Sequence, residues 1–584
     1  MSRTFPFLAV VIGLLAAPAQ AAGEPAAPVT AWLGQDAILV LEVPRPRVLL
    51  DWIFQDRVVQ AVTANPAYRA AAANAEFQQA VGFVKHLEAK YNTNLSGLLG
   101  KLLGGGITLA VCPQDAVLIA VDSEDAKMLE ELHEVVLLIA RSDAQAKGRA
   151  DQIASAEYRG VKGWRFAPNE SHALVGPRLL LTNKPERIKM ALDLRADSQA
   201  ASLATLPAYQ AAKQAAGAEP VARLFVNTGV LKKLPQLDKA LNRHENPLAA
   251  LLAAPLLAAI RDSNWLTAGI VVSGQTVTFN FATDSAPVDR SAPEGFAAAE
   301  SAQGGALPNF AVPRQIAGMS LYRDMHRFYA AKDKLFPDRT SGLIFFENMM
   351  GIFFTGRDLT DEVLAETGPE IRLVVAEQKY DAKIGTPRIQ IPGFAFVFPM
   401  RHPDKFAPVM EEAWQKALGL INFTRGQKAE PGLILDRPIY GDVKYTMSYF
   451  APVGNEDKSA VDLRFNFQPS LAMTAGHVIL SSTEGLARDV MDALKKETQG
   501  GTKPVAGAHT ILEVDGARVA SILRANRENL IQQSMVEKGN PRAQAETETD
   551  MLLKITEAVR QVKLTMGSYS NQARLQLEVT AGLP

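Results

Sequence analysis

Short apolar runs alternate with clusters of polar, glycine and proline residues along the whole chain. Runs such as Ile107-Thr108-Leu109-Ala110-Val111 and Val117-Leu118-Ile119-Ala120-Val121 predict buried strands, because each is too short for a helix and bounded by turn residues. A 3.6-residue apolar period follows from about Ser123 to Ala140 and predicts an amphipathic helix. Near Val277, Phe279 and Phe281, after a turn at Ser273-Gly274, apolar residues occupy every second position, as a half-buried hairpin strand requires. Strands interspersed with helices and hairpins predict an α+β fold, a mostly antiparallel sheet with helices packed on one face.

The same landmarks return later in the same order. Glu370 to Val375, Phe394 to Phe398 and a helix from about Asp404 to Leu418 repeat the strand, strand, helix sequence. Tyr158 to Lys162 parallels Tyr440 to Lys444, and Leu179 to Asn183 with its following helix parallels Val478 to Ser482 with its own. Leu224 to Asn227 matches Leu512 to Asp515, and Leu266 to Phe281 aligns without a gap to Leu564 to Val579. A shared order of individually weak matches predicts two tandem duplicated modules. Between them the chain turns rich in Ala, Pro, Gly and Ser without apolar periodicity, which predicts an exposed linker. The expected organisation is a signal peptide at 1–22, a first α+β module at 23–284, a linker at 285–313 and a second module at 314–584.

The signal peptide rests on Arg3, the apolar stretch Phe7 to Ala17 and the small-x-small pattern Ala19-Gln20-Ala21, and implies export to a periplasmic or extracellular location. Later segments lack the length of a transmembrane span; Leu248 to Ile260 comes nearest, and Pro255 breaks it. Of 584 residues 47% are apolar, and 61 Lys+Arg face 62 Asp+Glu, which excludes a disordered chain and the basic footprint of a nucleic-acid binder. The single cysteine, Cys112, rules out an intramolecular disulfide, and its apolar run makes it a small buried hydrophobe.

Chemistry-bearing patterns give no catalytic, cofactor or metal residue. The eight histidines stand singly, with no H-E-x-x-H, and there is no G-x-S-x-G elbow and no S-x-x-K pair. The glycine-rich stretch from Gly97 to Gly106 has Leu95 and Leu102 where a phosphate loop needs glycine and Ser or Thr, and reads as a helix end turning into the strand at Ile107. Glu124 with Asp125, and Asp361 with Glu366, fit helix starts or solvated helix surfaces.

One segment stands out. Leu343 to Phe354 carries more large apolar surface than one helix face buries in a small domain. It packs on the sheet as a core helix, or it offers Phe345, Phe346, Met349, Met350, Phe353 and Phe354 as a candidate surface for a lipid, an apolar ligand or an envelope protein. Two functional classes follow: a non-enzymatic exported binding or interaction module, and a hydrolase whose distant residues bring a histidine, a carboxylate and a hydroxyl together.

At the glycine entry into the Ile107 strand, at Leu179 to Thr182 leading into Lys184-Pro185-Glu186, and from Gly356-Arg357-Asp358-Leu359 through Gly368-Pro369-Glu370, the chain resembles large exported bacterial proteins described as a domain of unknown function, the family numbered 3352. The resemblance spans most of the mature chain on short structural motifs. It implies an extracytoplasmic α+β protein without an assigned activity, and transfers no catalytic residue.

Overall fold

The computed structural model describes residues 27–56, 59–60, 63, 68, 72–149, 153–197, 199–232, 246–284, 289–301, 303–451, 461–569 and 571–582. The expected signal segment at 1–22 lies outside the described residues. The fold is α+β. Two compact units divide the chain: Met1–Leu234, Asn264–Val272 and Asn280–Ala282 form the first; Pro235–Ser263, Ser273–Phe279 and Thr283–Pro584 form the second.

The strands up to the end of the first unit are β1 (Leu39–Val43), β2 (Gly106–Cys112), β3 (Ala116–Asp122), β4 (Ala154–Tyr158), β5 (Val161–Ala167), β6 (Glu170–Val175), β7 (Arg178–Thr182), β8 (Ala222–Val226), β9 (Leu266–Ser273) and β10 (Thr276–Thr283). Those from β1 to β9 pair antiparallel in the order β4-β5-β6-β7-β3-β2-β1-β8-β9. Helix α1 (Leu95–Leu103) ends at Gly104 and turns into β2, the glycine turn expected from the sequence. Helices α2 (Ala126–Ala146) and α3 (Pro185–Ala196) follow β3 and β7. The Asp125 carboxylate caps α2 by accepting from the Met128 amide at 3.0 Å.

The second unit contains helix α4 (Pro247–Asp262) and then β11 (Gln315–Tyr322), α5 (Met325–Ala330), α6 (Thr340–Phe353), β12 (Glu370–Ala376), β13 (Gly393–Pro399), α7 (Pro403–Gln427), β14 (Leu433–Asp436), the short hairpin β15 (Ile439–Tyr440) and β16 (Val443–Lys444), β17 (Thr446–Phe450), β18 (Ser470–Thr474), β19 (His477–Ser481), α8 (Glu484–Gly500), β20 (Ala508–Asp515), α9 (Gly516–Ala525), α10 (Arg527–Lys538), α11 (Arg542–Glu557), β21 (Val559–Tyr569) and β22 (Gln572–Ala581). Its strands pair antiparallel in the order β14-β17-β18-β19-β13-β12-β11-β20-β21-β22. From β14 to β21 this repeats the first unit's order from β4 to β9, with β1 equivalent to β11 and β8 to β20.

Helices cover both faces of the sheet, where the sequence pattern suggested one. Adjacent residues of β7 show why: Leu180 packs with Ile188 and Leu192 of α3, while Leu179 packs with α1 and α2. In the second unit Val374, Ala395, Val397 and Ile479 meet Leu486, Val490 and Leu494 of α8, and the opposite face meets α6 and α7. Both faces of these central strands are apolar, so both need a helical layer.

Three local expectations change. Parts of the expected linker are core: Phe296 is buried edge-on against Phe328 at 4.9 Å, and Phe310 is buried beneath the Arg372 guanidinium at 3.4 Å. Isolated aromatics filling single gaps leave no period to read. The stretch from Ser534 to Asp550, whose many charges and few apolar residues predict a loop or frayed helix, runs from the end of α10 into α11, and in α11 Ala545, Thr549 and Leu553 form a narrow buried stripe at four-residue spacing. Pro255 does not break α4. The proline lacks the N–H that would satisfy the Leu251 carbonyl, and Arg323 Nε takes that role at 2.7 Å.

Candidate apolar ligand site

The site begins with alternation in β13. Gly393, Ala395 and Val397 are buried, with Ala395 and Val397 packed toward α8, so Phe394, Phe396 and Phe398 point to the other face. Leu373 and Leu480 lie directly opposite Phe396 in the neighbouring strands and share that face. The sheet therefore presents its large side chains toward α6 and α7 and its small ones toward α8.

Helix α7 sends Phe406 and Met410, one turn apart, toward this surface, and α6 adds Leu343, Phe346 and Met350 at i, i+3 and i+7. Phe354, the Leu359–Val363 turn, Phe328 and Tyr329 of α5, and Leu248 and Leu251 of α4 complete the wall. Together they leave a cavity of about 740 Å³. Its walls carry only three polar or charged side chains among the described residues: Tyr329, Arg339 and Thr367. The Tyr329 hydroxyl reaches the Leu343 carbonyl at 3.5 Å, and burial together with the nearby Glu347 carboxylate pushes its pKa up, so it stays neutral. Arg339 is exposed at the start of α6 and has no carboxylate partner among the described residues. On β13 the cavity-side surface continues from Phe398 to the exposed Phe396 and Phe394, whose rings meet edge-on at 6.3 Å. The arrangement can hold a long apolar chain and offer a cation to an anionic end.

The six residues singled out in the sequence separate by direction. Phe346, Met350 and Phe354 line the cavity. Phe345 and Met349 are exposed with Ile344 and Ile352, Phe346 is both cavity-lining and partly exposed, and Phe353 is half-buried. Sequence reasoning missed Phe398, Phe406, Met410, Leu251 and Arg339. The alternation of Phe394, Phe396 and Phe398, the apolar run from Leu248 and the one-turn spacing of Phe406 and Met410 were the available hints, and each marks any buried strand or helix face.

A second cleft, about 720 Å³, lies beside the start of α8, with aromatic and charged walls. Four of its charges engage one another, Arg314 with Asp489 at 3.3 Å and Arg488 with Glu484, which also accepts from the Tyr445 hydroxyl. Among the histidines, His326 meets Asp361 at 3.1 Å and His402 meets Glu366 at 2.8 Å, and among the described residues no hydroxyl is hydrogen-bonded to either imidazole. His133 and His172 in the first unit face each other, Nε2 to Nε2, at 2.9 Å. Cys112 is buried in β2, and burial pushes its thiol pKa up, away from the reactive thiolate. No helix among the described residues is long and apolar enough to cross a membrane.

No protein-family model matches the chain, and no curated protein matches it. Among solved structures, crystal form I of TP0453 is 9% identical, over 44% of this chain and 79% of that one, with a TM-score of 0.23. Crystal form IV of TP0453 is 11% identical, over 45% and 83%, with a TM-score of 0.22. Likeness at this level assigns neither fold nor function.

Proposed function

We propose that the protein is a non-enzymatic exported binding module that holds a lipid-like ligand, an acyl chain with an anionic head, in the second unit. The carrying observation is the cavity between the β12-β13-β19 face and α6 and α7, walled almost entirely by aliphatic and aromatic side chains. Its volume falls within the ~300–1,000 Å³ of small-ligand sites. Each methylene buried there contributes ~0.8 kcal/mol, so a chain of a dozen gains on the order of 10 kcal/mol before ordering losses. Arg339 at the rim supplies the partner for a carboxylate or phosphate. Arg3, the apolar stretch after it and Ala19-Gln20-Ala21 support the extracytoplasmic location.

The test is mass spectrometry of lipid extracted from protein purified without detergent, paired with titration of a fluorescent fatty acid. Co-purified acyl lipid and saturable probe binding are expected. Met350→Trp and Met410→Trp, which fill the cavity, should weaken the probe about tenfold or more without altering the circular dichroism spectrum. Arg339→Gln should weaken the carboxylate probe and spare the matching alcohol. An empty protein that binds no apolar probe would overturn the reading.

A further inference from the structure

We propose that α6 is also a membrane-docking element, which lays its outward stripe on an anionic bilayer from which the cavity draws its ligand. The inference rests on the apolar-ligand reading and adds where the ligand comes from. Helix α6 is apolar on two opposite sides. Leu343, Phe346 and Met350 face the cavity, while Ile344, Phe345, Met349 and Ile352 face outward, with Phe345 71% and Ile352 67% exposed. A surface helix that only closed a core would turn polar residues outward. The seventeen residues from Thr340 to Gly356 include one ionised side chain, Glu347, and Lys332 pairs with it at 3.2 Å.

The chemistry of the stripe favours a bilayer over a protein. A protein interface of this size carries roughly one hydrogen bond per 100–200 Å². Among the described residues the exposed stripe offers Asn348 as its one polar side chain. Apolar residues of this kind bury in the headgroup and acyl boundary, and flanking cations strengthen the hold on anionic lipid. Lys334 and Arg339 stand just before the helix without carboxylate partners among the described residues. A second exposed patch, Leu420, Ile421 and Phe423 of α7, begins one turn after Lys416, whose ammonium donates to Thr355 Oγ1 just beyond the end of α6. The outward stripe is thus continuous, through a single helix, with the wall of the cavity.

The experiment is cosedimentation of the full protein with vesicles of phosphatidylglycerol and phosphatidylethanolamine, against vesicles of phosphatidylcholine alone. Binding to the anionic vesicles is expected, weakened by salt and by loss of the anionic lipid. Phe345→Glu with Ile352→Glu should lower vesicle binding about tenfold while the fatty-acid probe, added from aqueous solution, binds as before. Met350→Trp should do the reverse, losing the probe and keeping the vesicles. Probe binding without sedimentation would overturn the docking proposal and leave the cavity reading intact. Sedimentation unchanged in the double Glu variant would overturn it too, as would self-association that the double variant abolishes, because the stripe would then cover a second copy of the chain.

Discussion

Arg323 is fully buried, and among the described residues no carboxylate pairs with it. Its guanidinium donates instead to the carbonyls of Leu251, Tyr322 and His509 at 2.7, 2.8 and 3.0 Å and to Thr510 Oγ1 at 2.9 Å. Burial pulls its pKa down to about 9, still charged near neutrality, and the same burial with the Arg323 charge holds His509 neutral, its pKa near 3. Arg323→Met should cost about 2–4 kcal/mol in denaturant unfolding, since it orphans several buried acceptors. Pro255→Ala returns an amide to the Leu251 carbonyl, so the two substitutions together should cost about 1 kcal/mol less than their sum. Strict additivity would show that the arginine does not replace the missing proline donor. The His133 and His172 pair offers a second residue-scale test. Burial pushes His133 down to about 4, and burial with the His133 charge pushes His172 to about 3; Trp164 and Phe166 rings surround them. Unfolding frees both to take up protons near pH 6.5, so their contribution is present above that pH and lost as pH falls toward 4. Every tenfold loss of proton affinity on folding is worth about 1.4 kcal/mol. Thermal melts should therefore fall more steeply between pH 6.5 and 4 in the native protein than in His133→Leu with His172→Leu.

Among the elements, the strands were legible because short continuous or alternating apolar runs, closed off by turn residues, bury their side chains best in a sheet. The strands from Gly106, Ala116, Glu370 and Gly393 all sit within a residue or two of where the pattern places them. Strands β1 and β11 were not singled out, because Leu39–Val43 carries a charge, Glu42, which pairs with Arg223 across the sheet at 2.8 Å, and Gln315–Tyr322 is broken by Gly318. Helix α6 shows the limit more sharply. Its composition announced excess apolar surface, but direction depends on which side chains the sheet, α5 and α7 leave room for. Half the answer was core and half was surface. Helices α10 and α11 were obscured because α10 buries only Ile531 and α11 a stripe of Ala545, Thr549 and Leu553, while Arg527 with Asp550 and Arg542 with Glu528 and Glu546 dominate the sequence around them.

For the whole molecule, the common strand order of the two units agrees with the shared order of sequence landmarks, and we propose that one segment was duplicated to make both. Even the hairpins correspond: Arg159-Gly160 turns β4 into β5, and the Gly441-Asp442 tip stands at the matching point between β14 and β17. The expected boundary at 284 differs from the compact units in two respects, since α4 and the Ser273–Phe279 stretch of the β9-β10 hairpin belong with the second. Leu248 and Leu251 of α4 line the cavity there. Ligand at a hundred times its dissociation constant should stabilise the second unit by about 2.7 kcal/mol. Hydrogen exchange should then slow in α6, in α7 and from Leu359 to Leu364, and remain unchanged in β2 to β7. Equal slowing in both units would place the ligand elsewhere.

The layer over the equivalent face of the first unit is packed with Leu87, Leu98, Leu102, Met128 and Leu132. Connectivity and stuffing are thus separable properties of this architecture: among the described residues the same wiring carries a layer of packed leucines and methionine in one instance and a hollow in the other. An engineer who wanted a second receptor could begin there, trimming leucines one at a time and leaving every strand where it is.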